Sequence, residues 1–216
     1  MSEFAMSLAE ICPLMGLSLH TRNLVLAPAT EDEALSLSVA VAHYGVHDPQ
    51  VMPFATPWTD QEPEMVARSV FRTVTERSQK RLHLAARISQ RVTLPIGLMS
   101  LTLDDDGESF TTGSYLLLPF QGKGFGTQMR AAALDLAFHG LHRDTAYTAA
   151  FANNSSSLSV ARKLGYEHYD TVIKMNRGEP LESLKFVLRR ENWTAEPSTK
   201  MCGLDELNTW LSGDLS

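Results

Sequence analysis

From Leu17 to Leu26 apolar and polar side chains alternate (LSLHTRNLVL), the period-two pattern of a strand with one buried face, and Pro28 closes it. Thr30 then offers a helix cap, and Glu31, Asp32 and Glu33 suit the positive end of a helix dipole. Ala34, Leu35, Leu37, Val39 and Val41 carry the predicted helix to about Val41. Between His43 and Pro63 the prolines at 49, 53, 57 and 63 exclude a helix or a central strand, because each removes a backbone donor and fixes φ. This loop carries Met52, Phe54 and Trp58, too large and apolar for all to face water, and long loops of that kind often serve as lids or binding loops. Glu64 to Gln79 reads as a helix with an apolar stripe at Met65, Val66, Val70, Phe71 and Val74. Strands follow at Arg81–Ile88 and Leu94–Leu103, with a short turn between them, and at Phe110–Leu118 after the turn at 104–107. Further on, a glycine-rich turn and an alanine-rich helix lead to a strand at Thr145–Phe151, and two more strands are expected at Tyr169–Asn176 and Leu181–Arg189. The tail from Thr194 has a helical pattern at Leu204, Leu207 and Leu211, and docks either on the domain or on a second copy, which would make a homodimer.

The division into parts is therefore a loosely attached N-terminal arm at 1–16, a domain at 17–193 and a C-terminal tail at 194–216. A chain of 216 residues with 44% hydrophobic residues is long and apolar enough for one sizeable core, which excludes a disordered or fibrous protein. A formal charge of −6 would repel a phosphate backbone, so nucleic acid is not an expected ligand. No apolar run approaches the roughly 20 residues that cross a bilayer, and no basic stretch precedes an apolar one near Met1, so a cytoplasmic protein without a membrane role is expected. Cys12 and Cys202 show no paired spacing for zinc or a redox couple. His139 and His142 have a spacing that could hold a metal, but no third ligand accompanies them, and cations at a helix end account for the pair. No metal is expected.

The segment Pro119-Phe120-Gln121-Gly122-Lys123-Gly124-Phe125-Gly126-Thr127 joins a strand to a helix. Such a turn directs unpaired backbone N–H groups and the positive end of a helix dipole toward one point, and glycines let a phosphate approach the backbone. The glycine spacing is not that of a dinucleotide fold, and Lys123 is followed by Gly124 rather than by the Ser or Thr of a Walker loop.

The order Gln-Gly-Lys-Gly-Phe-Gly, helix, strand, then Asn154-Ser155-Ser156-Ser157-Leu158-Ser159-Val160-Ala161-Arg162-Lys163-Leu164-Gly165-Tyr166, resembles the GNAT superfamily of acyl-CoA-dependent N-acyltransferases. Gln121–Gly126 matches its Q/R-x-x-G-x-G/A pyrophosphate loop, and Asn154–Tyr166 is similar to a segment of its ribosomal-protein-acetyltransferase-like branch. Residues 43–63 resemble actinobacterial-type members.

The resemblance implies an α/β fold: a mixed, mostly antiparallel sheet with a V-shaped splay between its central strands and helices on both faces. It implies acetyl-CoA or another acyl-CoA, succinyl-CoA included, as co-substrate, and a small-molecule or peptide amine as acceptor. Leu116, Leu117 and Leu118 would pair with the pantetheine arm, and the amides of Gln121, Gly122, Lys123, Gly124, Phe125, Gly126 and Thr127 would hold the pyrophosphate, with Lys123 adding a charge. Asn154 corresponds to a pantetheine contact, with helix capping as the alternative. Expulsion of the thiolate calls for a proton. The tyrosine that supplies it in many relatives, seven residues after the asparagine, is replaced here by Ala161, and Ser157, three residues after it, takes the place of the acid used in the ribosomal-protein-like branch. Helix capping is again the alternative for Ser157.

The family's base, a glutamate in Glu-x-Gly-x-aromatic-Leu, is replaced by Thr111 in Thr111-Thr112-Gly113-Ser114-Tyr115-Leu116. Glu108, Asp106, His47, His83 and Tyr115 remain as candidate bases, with Tyr115 and Glu108 kept beside Ser157 as catalytic candidates. An α-amine with pKa near ~8 needs less help than a lysine near ~10.4. His47, Met52, Phe54 and Trp58 are the expected substrate contacts. The absence of the tyrosine and glutamate leaves a non-catalytic acyl-CoA-binding module as one alternative, and a protein N-terminal acetyltransferase is another.

Overall fold

In the computed structural model, which describes residues 7–89, 94–196 and 198–213, the alternating stretch at 17–26 is a hairpin rather than one strand. Its strands are β1 (Ser18–His20) and β2 (Leu24–Ala27). The polar triplet Thr21-Arg22-Asn23 makes the turn: the Leu24 amide donates to Thr21 Oγ1 at 3.0 Å, and the Thr21 amide to the Leu24 carbonyl at 2.8 Å. Leu19, Leu24 and Leu26 are buried on one face. Ahead of the hairpin, α1 (Leu8–Ile11) is closed by a capping box between Ser7 and Glu10. A 3₁₀ turn at Pro13–Gly16 then drives Leu14 fully into the core, so the expected arm is anchored at 13–16, while Leu8 and Ile11 of α1 stay exposed.

Helix α2 (Glu31–Tyr44) opens on a reciprocal capping box between Thr30 and Glu33 and ends at Gly45, whose φ of +71° favours glycine. Helix α3 (Pro63–Thr75) starts on a proline, which loses nothing at a first turn, and buries Val66, Val70 and Val74 along one stripe. It stops at Thr75, short of Gln79, and Met65 is half exposed rather than part of the stripe. The strands that follow are β3 (Arg81–Ile88), β4 (Gly97–Leu103) and β5 (Ser109–Leu116). Leu94, expected to begin β4, lies outside it and is exposed, and most of the turn expected ahead of it falls outside the described residues.

After the glycine loop come α4 (Phe125–Asp135), continued by a π-helical turn at Leu136–Gly140, then β6 (Thr145–Phe151) and α5 (Ser155–Lys163). A hairpin of β7 (Glu167–Asn176) and β8 (Glu179–Arg189) follows, turning at Arg177 and Gly178, both with positive φ. The tail contributes a strand that the sequence pattern hides, β9 (Lys200–Cys202), and the expected helix, α6 (Leu204–Ser212). The tail docks on its own chain: β9 pairs with β1, Leu207 is fully buried, and Asn208 Nδ2 donates to the Gly140 carbonyl at 3.1 Å.

The sheet order is β7-β8-β6-β5-β4-β3-β2-β1-β9. Every pair is antiparallel except β5–β6. Alternating side chains serve two cores. Leu82, Leu84, Met99 and Leu101 face the layer that holds Met129, Leu134 and Phe138, whereas Ala85 and Leu98 face Leu37, Val41, Val66 and Val70 of α2 and α3. Helices thus cover both faces, as expected for the α/β fold. The feature that positions the site is the one parallel pair. It is bonded only at Ser109↔Thr145, Phe110↔Ala146 and Thr111↔Tyr147, while β5 stays paired with β4 as far as Leu116↔Gly97. Beyond Thr111 the two central strands part and leave a wedge.

Candidate active site

The wedge opens into a cavity of about 1070 Å³, lined by Thr112–Leu116 of β5, Thr148 and Ala149 of β6, the glycine loop, and the start of α5. At its mouth α4 begins on Gly124, which has φ +81° and no side-chain cap. The amides of Gly122 through Thr127 have no partner among the described residues, so they and the dipole of α4 present an anion site to the cavity. A Cβ on Gly122 or Gly124 would meet nothing within 4 Å, which leaves that space free for a ligand.

Side chains in this loop hold it rather than fill it. Gln121 Nε2 donates to the carbonyls of Val46 and Leu116 at 2.7 and 2.8 Å, bracing the loop against β5 and the segment after α2. Lys123 folds back: its ammonium donates to the Pro119 carbonyl at 2.9 Å and lies 5.5 Å from the Phe120 ring centre, so it does not line the cavity. The Phe125 side chain packs on the core. The Leu117 amide donates to Ile96 and the Leu118 amide to Gly45, and Leu118 lies beyond β5, so neither amide is free for a ligand. The Thr112 carbonyl accepts the Thr148 hydroxyl on β6. Alternation from there turns the backbone of Ser114 and Leu116 toward the wedge.

Asn154, which lines the cavity, caps α5, its Oδ1 accepting the Ser157 amide at 3.1 Å. Ser157 is therefore not the cap. Its hydroxyl, half-buried in the cavity lining, has no partner among the described residues. Ala161, at the position of the tyrosine implied by many members of the family, is buried.

On the other side, His47 and Phe54 line the cavity, but Met52 is buried beneath them and Trp58 stands behind, between Phe54 and Tyr115 at ring-centre distances of 5.0 and 5.9 Å. Met52 and Trp58 thus support the wall instead of contacting its contents. Both ring nitrogens of His47 are engaged, with Thr59 Oγ1 and the Asp48 carbonyl, each at 2.7 Å. The loop is tied across the mouth by the β7–β8 turn: Arg177 grips Asp60 at 2.6 and 2.7 Å and the Pro49 carbonyl, and Asn176 donates to the carbonyls of Met52 and Phe54. Tyr115 lines the cavity with its hydroxyl buried and without a partner among the described residues, and burial pushes its pKa well above the ordinary value, so it stays protonated and cannot act as a base.

Glu108 is a correction to the expected catalytic set. It sits in the β4–β5 turn, four residues or about 13 Å of strand before Thr112, exposed and outside the cavity. Asp106 lies in the same turn, accepting from Ser109 and the Glu108 amide. His139 and His142 are exposed, and no cluster of three His, Cys, Asp or Glu fit for a metal occurs among the described residues.

The fold assembles a further arrangement from His83. This residue is 3% exposed, and its Nδ1 lies 2.8 Å from the hydroxyl of Ser100, its cross-strand partner on β4, which lines the cavity. Its Nε2 lies 3.5 Å from the Glu76 carboxylate. Burial lowers the His83 pKa from the ordinary 6.5, against the opposing pull of Glu76, so the ring is neutral at physiological pH. The sign for stability follows. The unfolded chain takes up a proton below pH 6.5 that the folded ring resists, so stability is fully present above that pH and declines as pH falls through it. Thermal melts between pH 7.5 and 5 are expected to show a steeper loss for wild type than for His83→Gln.

Arg130 of α4 also lines the cavity, 5% exposed, with bonds to Thr148 Oγ1 at 3.1 Å and Ser114 Oγ at 3.3 Å. Neither Ser100 nor Arg130 stands out in the sequence. The only signal is for Arg130, whose helix follows the glycine loop directly; Ser100 lies on β4, one strand removed from it.

Residues 23–167 match the family model described as an acetyltransferase (GNAT) domain. Among solved structures, a GNAT-family acetyltransferase from Bacillus anthracis is 14% identical with a TM-score of 0.66, covering 81% of this chain and 99% of its own. A ribosomal-protein alpha-N-acetyltransferase in complex with coenzyme A is 15% identical with a TM-score of 0.64, covering 80% of this chain and 97% of its own. A spermidine N-acetyltransferase chimera from Vibrio cholerae is 14% identical with a TM-score of 0.61, covering 78% and 96%.

Proposed function

We propose that this chain, which belongs to the GNAT acetyltransferase family, is an acyl-CoA-dependent N-acyltransferase whose acceptor is a primary amine of a small molecule or a peptide terminus. The observation that carries the reading is the wedge between β5 and β6, which ends on an uncapped helix start with six unpaired amides. The residues fit an acyl-CoA: amides 122–127 would take the pyrophosphate, Ser114, Leu116 and Asn154 the pantetheine arm, and the thioester would lie toward the apex. The acyltransferase domain runs over 17–193, with Leu14 and Leu207 from the flanking segments buried against it, and no described helix is long and apolar enough to cross a membrane.

The amine nitrogen attacks the thioester carbon, a C–N bond forms, the C–S bond breaks, and the thiolate needs a proton that Ser157 is positioned to give. In the other direction, the ammonium must lose a proton first. Ser100 opens into the cavity with neutral His83 behind it, a route that replaces the missing glutamate at Thr111. Neighbours named for a ribosomal protein and for spermidine support an amine acceptor. The test is a panel of amines, polyamines and peptides against acyl-CoAs, with free thiol detected and the melting temperature followed. Stabilisation by acyl-CoA together with thiol release supports the reading. Stabilisation without turnover on any amine, the outcome that Ala161 and Thr111 would favour, leaves an acyl-CoA-binding module, and no stabilisation by any acyl-CoA removes the assignment.

A further inference from the structure

Arg130 is the sixth residue of α4 and projects from beneath the sheet to the point where β5 and β6 part. Its two terminal nitrogens bridge the strands, Nη1 donating to Thr148 Oγ1 on β6 and Nη2 to Ser114 Oγ on β5, while Nε is buried with no partner among the described residues. Among the described residues no carboxylate pairs with it. The side chains around it, Thr112, Ser114, Thr148 and the Tyr166 hydroxyl near Thr112, are polar but neutral. An arginine keeps its proton, and a buried cation satisfied only by hydroxyls bears a desolvation cost that an anion would relieve. None is supplied among the described residues, so the anion comes with what fills the cavity.

The position of Arg130 says which part of the ligand that is. This inference rests on the acyl-CoA reading above. With the pyrophosphate at amides 122–127 and the arm running back along β5 past Leu116 and Ser114, the sulfur points toward the apex, and what lies beyond the sulfur is the acyl group. We propose that Arg130 is a specificity-determining residue that binds a terminal carboxylate on the acyl group, so that this enzyme takes a dicarboxylic acyl donor, of the malonyl- or succinyl-CoA kind, in preference to acetyl-CoA. Transfer is balanced as for any acyl group: the amine nitrogen bonds the thioester carbon, CoA leaves as thiolate and is protonated, and the distal carboxylate is unchanged. A carboxylate on the acceptor is the other source of the same charge. Arg130, however, rises from the α4 face, opposite the loop at 43–63 that closes the other side of the mouth.

Dissociation constants measured without any acceptor separate these sources. The probes are acetyl-CoA, butyryl-CoA as the uncharged four-carbon match, malonyl-CoA and succinyl-CoA. Wild type is expected to bind malonyl- or succinyl-CoA at least about tenfold more tightly than butyryl-CoA, and Arg130→Met is expected to lose that ratio while its affinity for acetyl-CoA changes less than about threefold. Arg130→Lys, which keeps a charge in the core should the methionine variant not fold, is expected to retain a reduced preference. Equal affinity of wild type for charged and uncharged donors overturns the proposal and leaves the acyl-CoA reading standing, as does an Arg130→Met variant that weakens all donors alike. Failure to bind any acyl-CoA overturns both.

Discussion

Gly124→Val is expected to weaken acyl-CoA binding by about 100-fold or more while leaving the fold in place. Two effects converge on this position. A φ of +81° is strained for any side chain and most of all for a β-branched one, at roughly 1–2 kcal/mol. The new side chain would also stand in the open space beside amides 122–127, where a phosphate has to come within hydrogen-bonding distance of the backbone. The two effects can be separated with Gly178→Val. That glycine has a similar φ of +85° and equally open surroundings, but it lies in the β7–β8 turn away from the anion site. Both variants are expected to melt earlier by similar amounts, and only Gly124→Val to lose the donor, as read by calorimetry or by the ligand-induced shift in melting temperature. Normal donor affinity in a folded Gly124→Val protein would move the pyrophosphate elsewhere.

Ser157→Ala is expected to lower kcat by about 10²-fold or more with little change in donor affinity, as removal of a positioned general acid does. The structure sharpens this test. A capping serine would lose about 1 kcal/mol on truncation, but the cap of α5 is Asn154, and the Ser157 hydroxyl bonds to nothing among the described residues. The melting temperature should therefore hold within the shift produced by about 0.5 kcal/mol, so any loss of rate is chemical. Asn154→Ala is the contrasting variant, expected to melt earlier because it uncaps the helix. Rates are best compared across pH, since a thiolate can leave unprotonated when attack limits the rate. Full kcat for Ser157→Ala from pH 6 to 9 would assign proton delivery to water.

The parts of the site legible in the sequence were those where backbone geometry dictates residue type. Gly122, Gly124 and Gly126 are required wherever amides must lie bare at a helix start, and Asn154 wherever a strand ends in a capped helix, so their spacing is visible. His83 and Ser100 are linked by the β3–β4 register, 17 residues apart, and nothing local pairs them. Arg130 reads as a solvated basic residue on an alanine-rich helix, because its burial follows from where β5 leaves β6, which is decided by the whole sheet. Glu108 fails for the converse reason: it is near the motif in sequence, but an extended strand carries it away. The hairpin at 17–26 was hidden because polar Thr21, Arg22 and Asn23 continue an alternating pattern through the turn, and β9 because three residues leave no period to see.

The pairing of β9 with β1 also bears on how the chain reaches this fold. The strand that begins the domain gains its outer neighbour only when residues 200–202 arrive, so the sheet closes with a contact between segments far apart in sequence. Gly203 lets that closure be tight, since a methyl group there would overlap the Gly16 carbonyl. During synthesis β1 is an open edge until residues 200–202 have emerged, and the loop to be closed runs from residue 21 to residue 199. Such a long-range contact is slow to form, which makes this edge, rather than the wedge, the surface through which half-made chains would associate.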